Sequence, residues 1–413
     1  MRHNAFPNGV TRADLLAWYR ANRVRTRRIF DLVAPDAYYD RPISLRNPIV
    51  FYEGHIPGFA VNTLVKLALK RPGIDERLET LFARGIDPED EAAVKSPTDV
   101  WPSRECVQQF AAACDALIEE TLMSAPIGEA VFTIMEHELM HQETLLYMVH
   151  ELEYEKKIGP IGPTSPIGPI GPTGSIRIPP GRATLGTAHG FGWDNEFPEH
   201  SVEVAEFEIA KYDVTNGEYL EYIEATGVRA PHFWARGERE WSWRGMFGLT
   251  PLPLDAPVYV THDEAVAFAK WKGMRLPTEA EFHRAAYGTP SGEERLHPWG
   301  DEPPDETRGN FDFATWDPVA IGSYPAGASA WGVHDLVGNG WEWTSTLFDG
   351  FDGFQPMPSY LQYSADFFDG AHYVMKGASP ATARELIRRG FRNWFRPNYP
   401  YVYATFRCVR VVQ

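Results

Sequence analysis

The chain has 413 residues, more than one hydrophobic core usually serves, so two domains are expected. At 44% hydrophobic and 23% charged it has the composition of ordinary globular protein. A formal net charge of -17 would repel nucleic acid rather than steer it in, which leaves small molecules as the expected partners.

Met1 to Val10 holds no apolar run of the kind an export signal needs, and no apolar stretch is long enough to span a bilayer. Three cysteines make a sparse set; Cys106 and Cys114, eight residues apart on one helix, would sit about 12 Å from each other, too far to bridge. A reducing, cytoplasmic setting without membrane attachment is the expectation.

Up to about residue 157 the pattern is helical. Thr11 caps a first helix that runs through Leu15, Leu16 and Tyr19. A second covers roughly Phe59 to Lys70, and a third starts near Ser103 and continues through Val107, Phe110, Ala111 and Leu117. A fourth runs from about Ile127 through Phe132, Ile134 and Leu146 toward Glu155, which completes a four-helix bundle.

Residues 158–175, IGPIGPTSPIGPIGPTGS, repeat Gly-Pro pairs and permit neither helix nor central strand, because proline lacks the amide donor. The glycines do not keep a strict three-residue period, so this is a linker and not a collagen segment. From residue 176 to 413 short strands such as Ser201 to Ile209 and Val258 to Val260 alternate with Gly, Pro, Asn and Asp breaks, with a helix at Asp263 to Lys272. The fold class expected is α+β: residues 1–157 a helical bundle, 158–175 a linker, 176–413 a loop-rich mixed domain.

Within MEHELMHQETLLYM, His137 and His141 are four apart, so on a helix their imidazoles share one face and can converge on one ion. Glu138 and Glu143 point away from that face. A third ligand is better sought in FYEGHIPGF, where Gly54 and Pro57 break the chain around His55 and would aim its ring into the end of the bundle. The plain reading of His55 is a capping or core histidine bonded to backbone. Neutral nitrogen ligands suit iron, zinc or copper, so the donors alone do not pick the metal.

HELMHQET, His55 and the C-terminal FRNW together resemble the sulfoxide synthases of ergothioneine and ovothiol biosynthesis and their relative selenoneine synthase. The second half resembles that family segment by segment through IPPGRATLG, FGWDNEFPEH, KYDVTNGEYL, RLPTEAEFHRAA, WGVHDLVGNGWEWT, GFRNWFRP and ATFRCVR, with Trp341 and Trp343 as structural aromatics. The resemblance implies a DinB-like four-helix bundle followed by a domain of the formylglycine-generating-enzyme type, which is related to the C-type lectin fold.

It further implies that His55, His137 and His141 hold iron(II), that dioxygen is a co-substrate, and that the enzyme couples a thiol or selenol donor to the imidazole ring of hercynine. Asn393 and Trp394 match the pair that receives the trimethylammonium and carboxylate end of hercynine, where an indole face suits a quaternary ammonium.

Three positions depart from the ergothioneine branch. Met140 stands where that branch has a glutamine bonding the substrate imidazole, with Gln142 as a substitute nearby. Phe395 replaces an aspartate that pairs with the amino group of γ-glutamylcysteine, and Arg396 and Arg392 lie beside it in sequence. The catalytic tyrosine is represented by Tyr360 or Tyr363 in GFQPMPSYLQYS. The loss of the acid favours a selenosugar donor, giving selenoneine, with γ-glutamylcysteine or cysteine next.

Three other readings compete. A formylglycine-generating oxidase would need a second cysteine near Cys408. A lectin-like binding module would need no metal. A DinB-like thiol transferase or hydrolase would use zinc.

Overall fold

The computed structural model describes residues 10–83, 101–159, 174–237 and 240–412. Most of the Gly-Pro linker and the first nine residues lie outside them. The chain forms two compact units: Met1–Ile161 with His189–Phe191 and Met357–Leu361, and Gly162–Ala188 with Gly192–Pro356 and Gln362–Gln413.

In the first unit α1 (Arg12–Phe30) opens on a capping box, Thr11 accepting from the Asp14 amide while the Asp14 carboxylate takes the Thr11 amide. Helix α2 (Ile49–Ala60) has all twelve residues buried and continues as a π-helical segment, Val61–Ala68. The short α3 (Glu76–Leu81) follows, capped by Asp75. Then come α4 (Arg104–Leu122), capped by Ser103, and α5 (Glu129–Glu151). Helix α2 packs on α4 and α5, and α1 on α5 and α4.

His55 therefore lies inside α2 and not on the approach to a helix beginning near Phe59. Glycine and proline inside a helix cost about 1 and 3 kcal/mol, but a helix apolar all round recovers that by burying every side chain. Gly54 has a packing reason as well: a Cβ there would lie 2.5 Å from the ring of Phe82.

The second unit holds twelve strands in four small sheets among the described residues. Strands β1 (Ser175–Ile178), β2 (Gly181–Leu185), β3 (His200–Val204) and β4 (Phe207–Ala210) come first, followed by α6 (Asn216–Thr226). Next are β5 (Trp234–Arg236), β6 (Trp241–Arg244), β7 (Leu249–Pro251), α7 (His262–Trp271) and α8 (Glu279–Tyr287). The chain ends with β8 (Gly340–Leu347), β9 (Tyr373–Ala378), β10 (Asn393–Phe395), β11 (Ala404–Thr405) and β12 (Val409–Val411). The central sheet has the order β10-β9-β8-β11; β4 joins β1 and β12, β2 pairs with β3, and β6 lies between β5 and β7.

Two sequence expectations fail here. Residues 201–209 are not one strand: β3 pairs with β2 and β4 with β1, so the chain changes sheet at Ala205 and Glu206. Val258 to Val260 forms no ladder, its amides being taken singly by the carbonyls of Val214 and Ala404. The helix expected at 263–272 forms as α7, with a Thr261 and Glu264 capping box.

Helix α8 packs its Phe282, Ala285 and Ala286 against Ile178, Ala183, Phe207 and Ile209. Beneath the central sheet the fully buried Arg407 donates to both carboxylate oxygens of Glu342 (2.5 and 2.7 Å), to Asp213 (3.1 Å) and to the carbonyl of His334 (3.0 Å). Trp341 and Trp343 are buried, and the Trp343 indole donates to the carbonyl of Val260. Cys106, Cys114 and Cys408 are free thiols.

Candidate metal centre and substrate-side residues

Three imidazoles converge in the first unit. One nitrogen from each of His55, His137 and His141 lies within 4.8 Å of the others. Positions 137 and 141 are one turn apart on α5, and their Nε2 atoms stand 3.1 Å from each other. Helix α2, packed against α5, brings His55, whose ring centroid is 4.9 Å from His141 and 5.2 Å from His137.

Burial holds all three neutral. It pushes His55 down to about 4, against a small opposing effect of the Phe82 carbonyl, and carries His137 and the partly exposed His141 well below the ordinary range. The Nδ1 atoms of His137 and His141 have no hydrogen-bond partner among the described residues. Three neutral nitrogens with free lone pairs, gathered in an apolar setting without a carboxylate in the set, form a donor group for a borderline divalent ion such as iron(II) or zinc, with coordination positions left open.

Aromatic rings wall the cluster. Phe59 lies flat on His137 (centroids 3.5 Å, 10°), Phe51 stacks on His55 (4.7 Å, 19°) and Tyr52 tilts against His141 (5.5 Å). Of the two tyrosines singled out in the sequence, Tyr360 is here: its ring is 6.1 Å from His137 and 5.2 Å from Phe59.

The segment carrying Tyr360 is tied to the ligand helix. Ser359 donates through its amide (2.9 Å) and hydroxyl (2.8 Å) to Glu129 at the start of α5, and its hydroxyl lies 2.9 Å from that of Thr133. No local pattern links Ser359 to Glu129, 230 residues away. Phe59 had a weak signal, as the residue one helical turn after His55.

Gln142 is turned elsewhere. Its amide nitrogen donates to the Asn22 carbonyl and to Thr26 Oγ1, each at 3.0 Å, so its side chain is committed to α1. One residue past His141 is about 100° further around the helix, which accounts for the different face.

In the second unit, Asn393, Trp394 and Phe395 form β10, half-buried, antiparallel to Tyr373, Val374 and Met375 of β9. The Trp394 indole stacks on Phe348 (4.1 Å, 6°), meets Tyr363 edge-on (5.3 Å) and lies tilted against Phe367 (5.6 Å). Tyr363 itself stacks on Trp193 at 4.0 Å. Phe395 stacks on Tyr399 at 5.0 Å.

Arg396 is exposed, whereas Arg392 is buried and structural. Arg392 donates to Glu279 (3.0 Å) and to the carbonyls of Asn195 and Asp349, and lies over Phe351.

Residues 170–412 match the sulfatase-modifying factor enzyme 1-like domain family. The chain is 33% identical to the hercynine oxygenase of Mycolicibacterium thermoresistibile, over 96% of this chain and 94% of that one. It is 38% identical to the hercynine oxygenase of Mycobacterium tuberculosis over 52% of this chain and 55% of that protein. Similarity extends to ergothioneine biosynthesis protein 1 of Neurospora crassa, 29% identical over 90% of this chain and 54% of the fungal protein.

Proposed function

Because the chain belongs to the hercynine oxygenase family, we propose that it is an iron(II)- and dioxygen-dependent enzyme that joins a sulfur or selenium donor to the imidazole ring of hercynine. The observation that carries this reading is the meeting of His55, His137 and His141.

Those three residues would hold the metal. Iron supplies the one-electron and oxygen chemistry that no side chain provides. The protein's own part is binding, orientation and proton handling. Buried and neutral, the imidazoles keep their lone pairs at physiological pH, and Phe51 and Phe59 shield two of the rings from water. We assign Tyr360 to hold or pass a proton at its phenolic oxygen, since its ring is the one beside His137. Tyr363 instead supports the Trp394 indole from the Trp193 stack.

Trp394 and Asn393 are assigned to hercynine. The indole offers a face to the quaternary ammonium, and its stack on Phe348 fixes the plane before substrate arrives. Gln142 is left out of the substrate assignment because its amide is already used. The three cysteines are free, which is the chemistry of a reducing compartment, and a cytoplasmic setting is part of the proposal.

The relatives bear on hercynine and leave the donor open. Phe395, stacked on Tyr399, gives β10 an aromatic surface at the place where the family resemblance puts an acid. That surface suits the face of a neutral selenosugar better than the ammonium of a dipeptide, so a selenosugar is the donor we favour, with γ-glutamylcysteine and cysteine after it. A formylglycine-type oxidation has less support, since Cys408 is buried and free and the sequence holds no second cysteine near it.

The test is anaerobic loading with iron(II), addition of hercynine with each donor, admission of oxygen, and mass analysis of products. An oxygen-dependent adduct that His137→Ala does not form is expected. An iron-loaded protein that couples none of the donors would refute the assignment, and turnover restricted to γ-glutamylcysteine would remove the preference for selenium.

A further inference from the structure

We infer that Phe82 and Gly54 are positioning residues for the metal site: the Phe82 carbonyl fixes which nitrogen of His55 faces the other two histidines, and Gly54 makes the room that lets Phe82 stand there. This rests on the metal reading above, but part of its test needs no metal.

Phe82 ends α3, and the last carbonyls of a helix have no partner within it. Its oxygen is 2.9 Å from His55 Nδ1. A carbonyl can only accept, so Nδ1 carries the hydrogen and Nε2 is left with the lone pair. His137 and His141 have no such partner at Nδ1 among the described residues and meet only each other through Nε2, so of the three rings His55 is the one whose tautomer and tilt a backbone carbonyl determines.

The carbonyl is where it is because the Phe82 side chain is locked. The residue is fully buried, and its ring stacks near Trp101 (6.1 Å) and Phe110 (5.9 Å) with Phe51 tilted at 6.4 Å. The fourth side is the bare backbone of Gly54. A Cβ built there meets Cδ2, Cε2 and Cγ of the Phe82 ring at 2.5 to 2.6 Å. Rotation about χ2 leaves Cγ where it is, and rotation about χ1 would turn the ring out of its packing among Phe51, Trp101 and Phe110, so the ring has little room to swing aside with its backbone in place. Any side chain at position 54 must push the end of α3 away from His55.

In the metal-free wild-type protein labelled with nitrogen-15 in histidine, the imidazole shifts of His55, identified by their loss in His55→Gln, should show the Nδ1–H tautomer. Gly54→Ala should lose that preference and bind cobalt(II), followed by its visible absorption, about 10- to 100-fold more weakly. Gly54→Ala combined with Phe82→Ala, which removes Cγ and the ring together and keeps the carbonyl, should recover much of the affinity.

An Nε2–H tautomer in the wild type would overturn the inference. So would unchanged cobalt affinity in a Gly54→Ala protein that keeps the wild-type circular dichroism and unfolding midpoint. The Nδ1–H tautomer in a wild type that takes up no cobalt would uphold the role of Phe82 while refuting the metal reading.

Discussion

Replacing Arg407 by leucine would remove the one cation of a buried cluster that contains Glu342 and Asp213, both fully buried, with Asp335 close by. Burial already raises the protonation range of Glu342 and Asp213, with Arg407 opposing the rise, and lifts Asp335 to about 6 against the Gly322 amide and Arg407. Without it, two carboxylates would face each other in the interior. Breaking a buried pair from one side costs about 3–5 kcal/mol, against about 5–15 kcal/mol for the whole stability of an ordinary domain.

Linkage gives the loss a pH signature. In the variant the folded state holds protons on Glu342 and Asp213 above the pH at which the unfolded chain has released them, so its stability falls as pH rises. Urea unfolding followed by tryptophan fluorescence, which reports the second unit because every tryptophan except Trp18 and Trp101 lies there, should show a larger deficit at pH 8 than at pH 5. A deficit under about 1 kcal/mol, or one independent of pH, would refute the reasoning.

Trp394→Ala should raise the KM for hercynine about 2- to 30-fold, the span of a cation-π contact, with a smaller change in kcat, while Trp394→Phe keeps most of the affinity. Steady-state kinetics decide it, and an unchanged KM in Trp394→Ala would count against the assignment. Gln142→Ala should cost about 1–3 kcal/mol in denaturant unfolding by stranding buried partners on α1, yet leave the KM for hercynine where it was. His262, stacked on Tyr373 and pushed down to about 4 by burial, resists protonation in the folded state, so its contribution is present above about pH 6.5 and is lost as pH falls toward 4. Wild type should therefore lose about 2–3 kcal/mol more than His262→Phe between pH 7.5 and 4.5, and equal losses would show that burial of this ring is not what matters.

What could be read from the sequence was what depends on neighbours along the chain. Thr11 and Ser103 announced helix starts because a cap needs only a side-chain oxygen two or three residues before a free amide. The pairing of His137 with His141 followed from helical repeat alone. The helix around His55 was obscured by Gly54 and Pro57, whose local cost is offset by burial that only the packed unit supplies. Gln142 was offered as a substitute near the place of the missing glutamine, and helical phase puts it off the face of His141, toward α1.

The change of sheet between β3 and β4, the Ser359 tie to Glu129 and the Phe82 carbonyl all join segments distant in sequence, where nothing local marks the partner. The order of motifs in the second half, by contrast, carried the family through its resemblance, although turns and short strands gave little periodicity to read.

The most direct measurement is anaerobic iron(II) titration of the wild type and of His55→Ala, His137→Ala and His141→Ala, read by the spectrum of the nitric oxide adduct and by bound iron. The account predicts about one iron per chain in the wild type, from the one cluster of three histidines among the described residues, and loss of both signals in each folded variant. Retention of wild-type iron and spectrum in His55→Ala, or a wild type that binds zinc but gives no iron-nitrosyl spectrum, would contradict it.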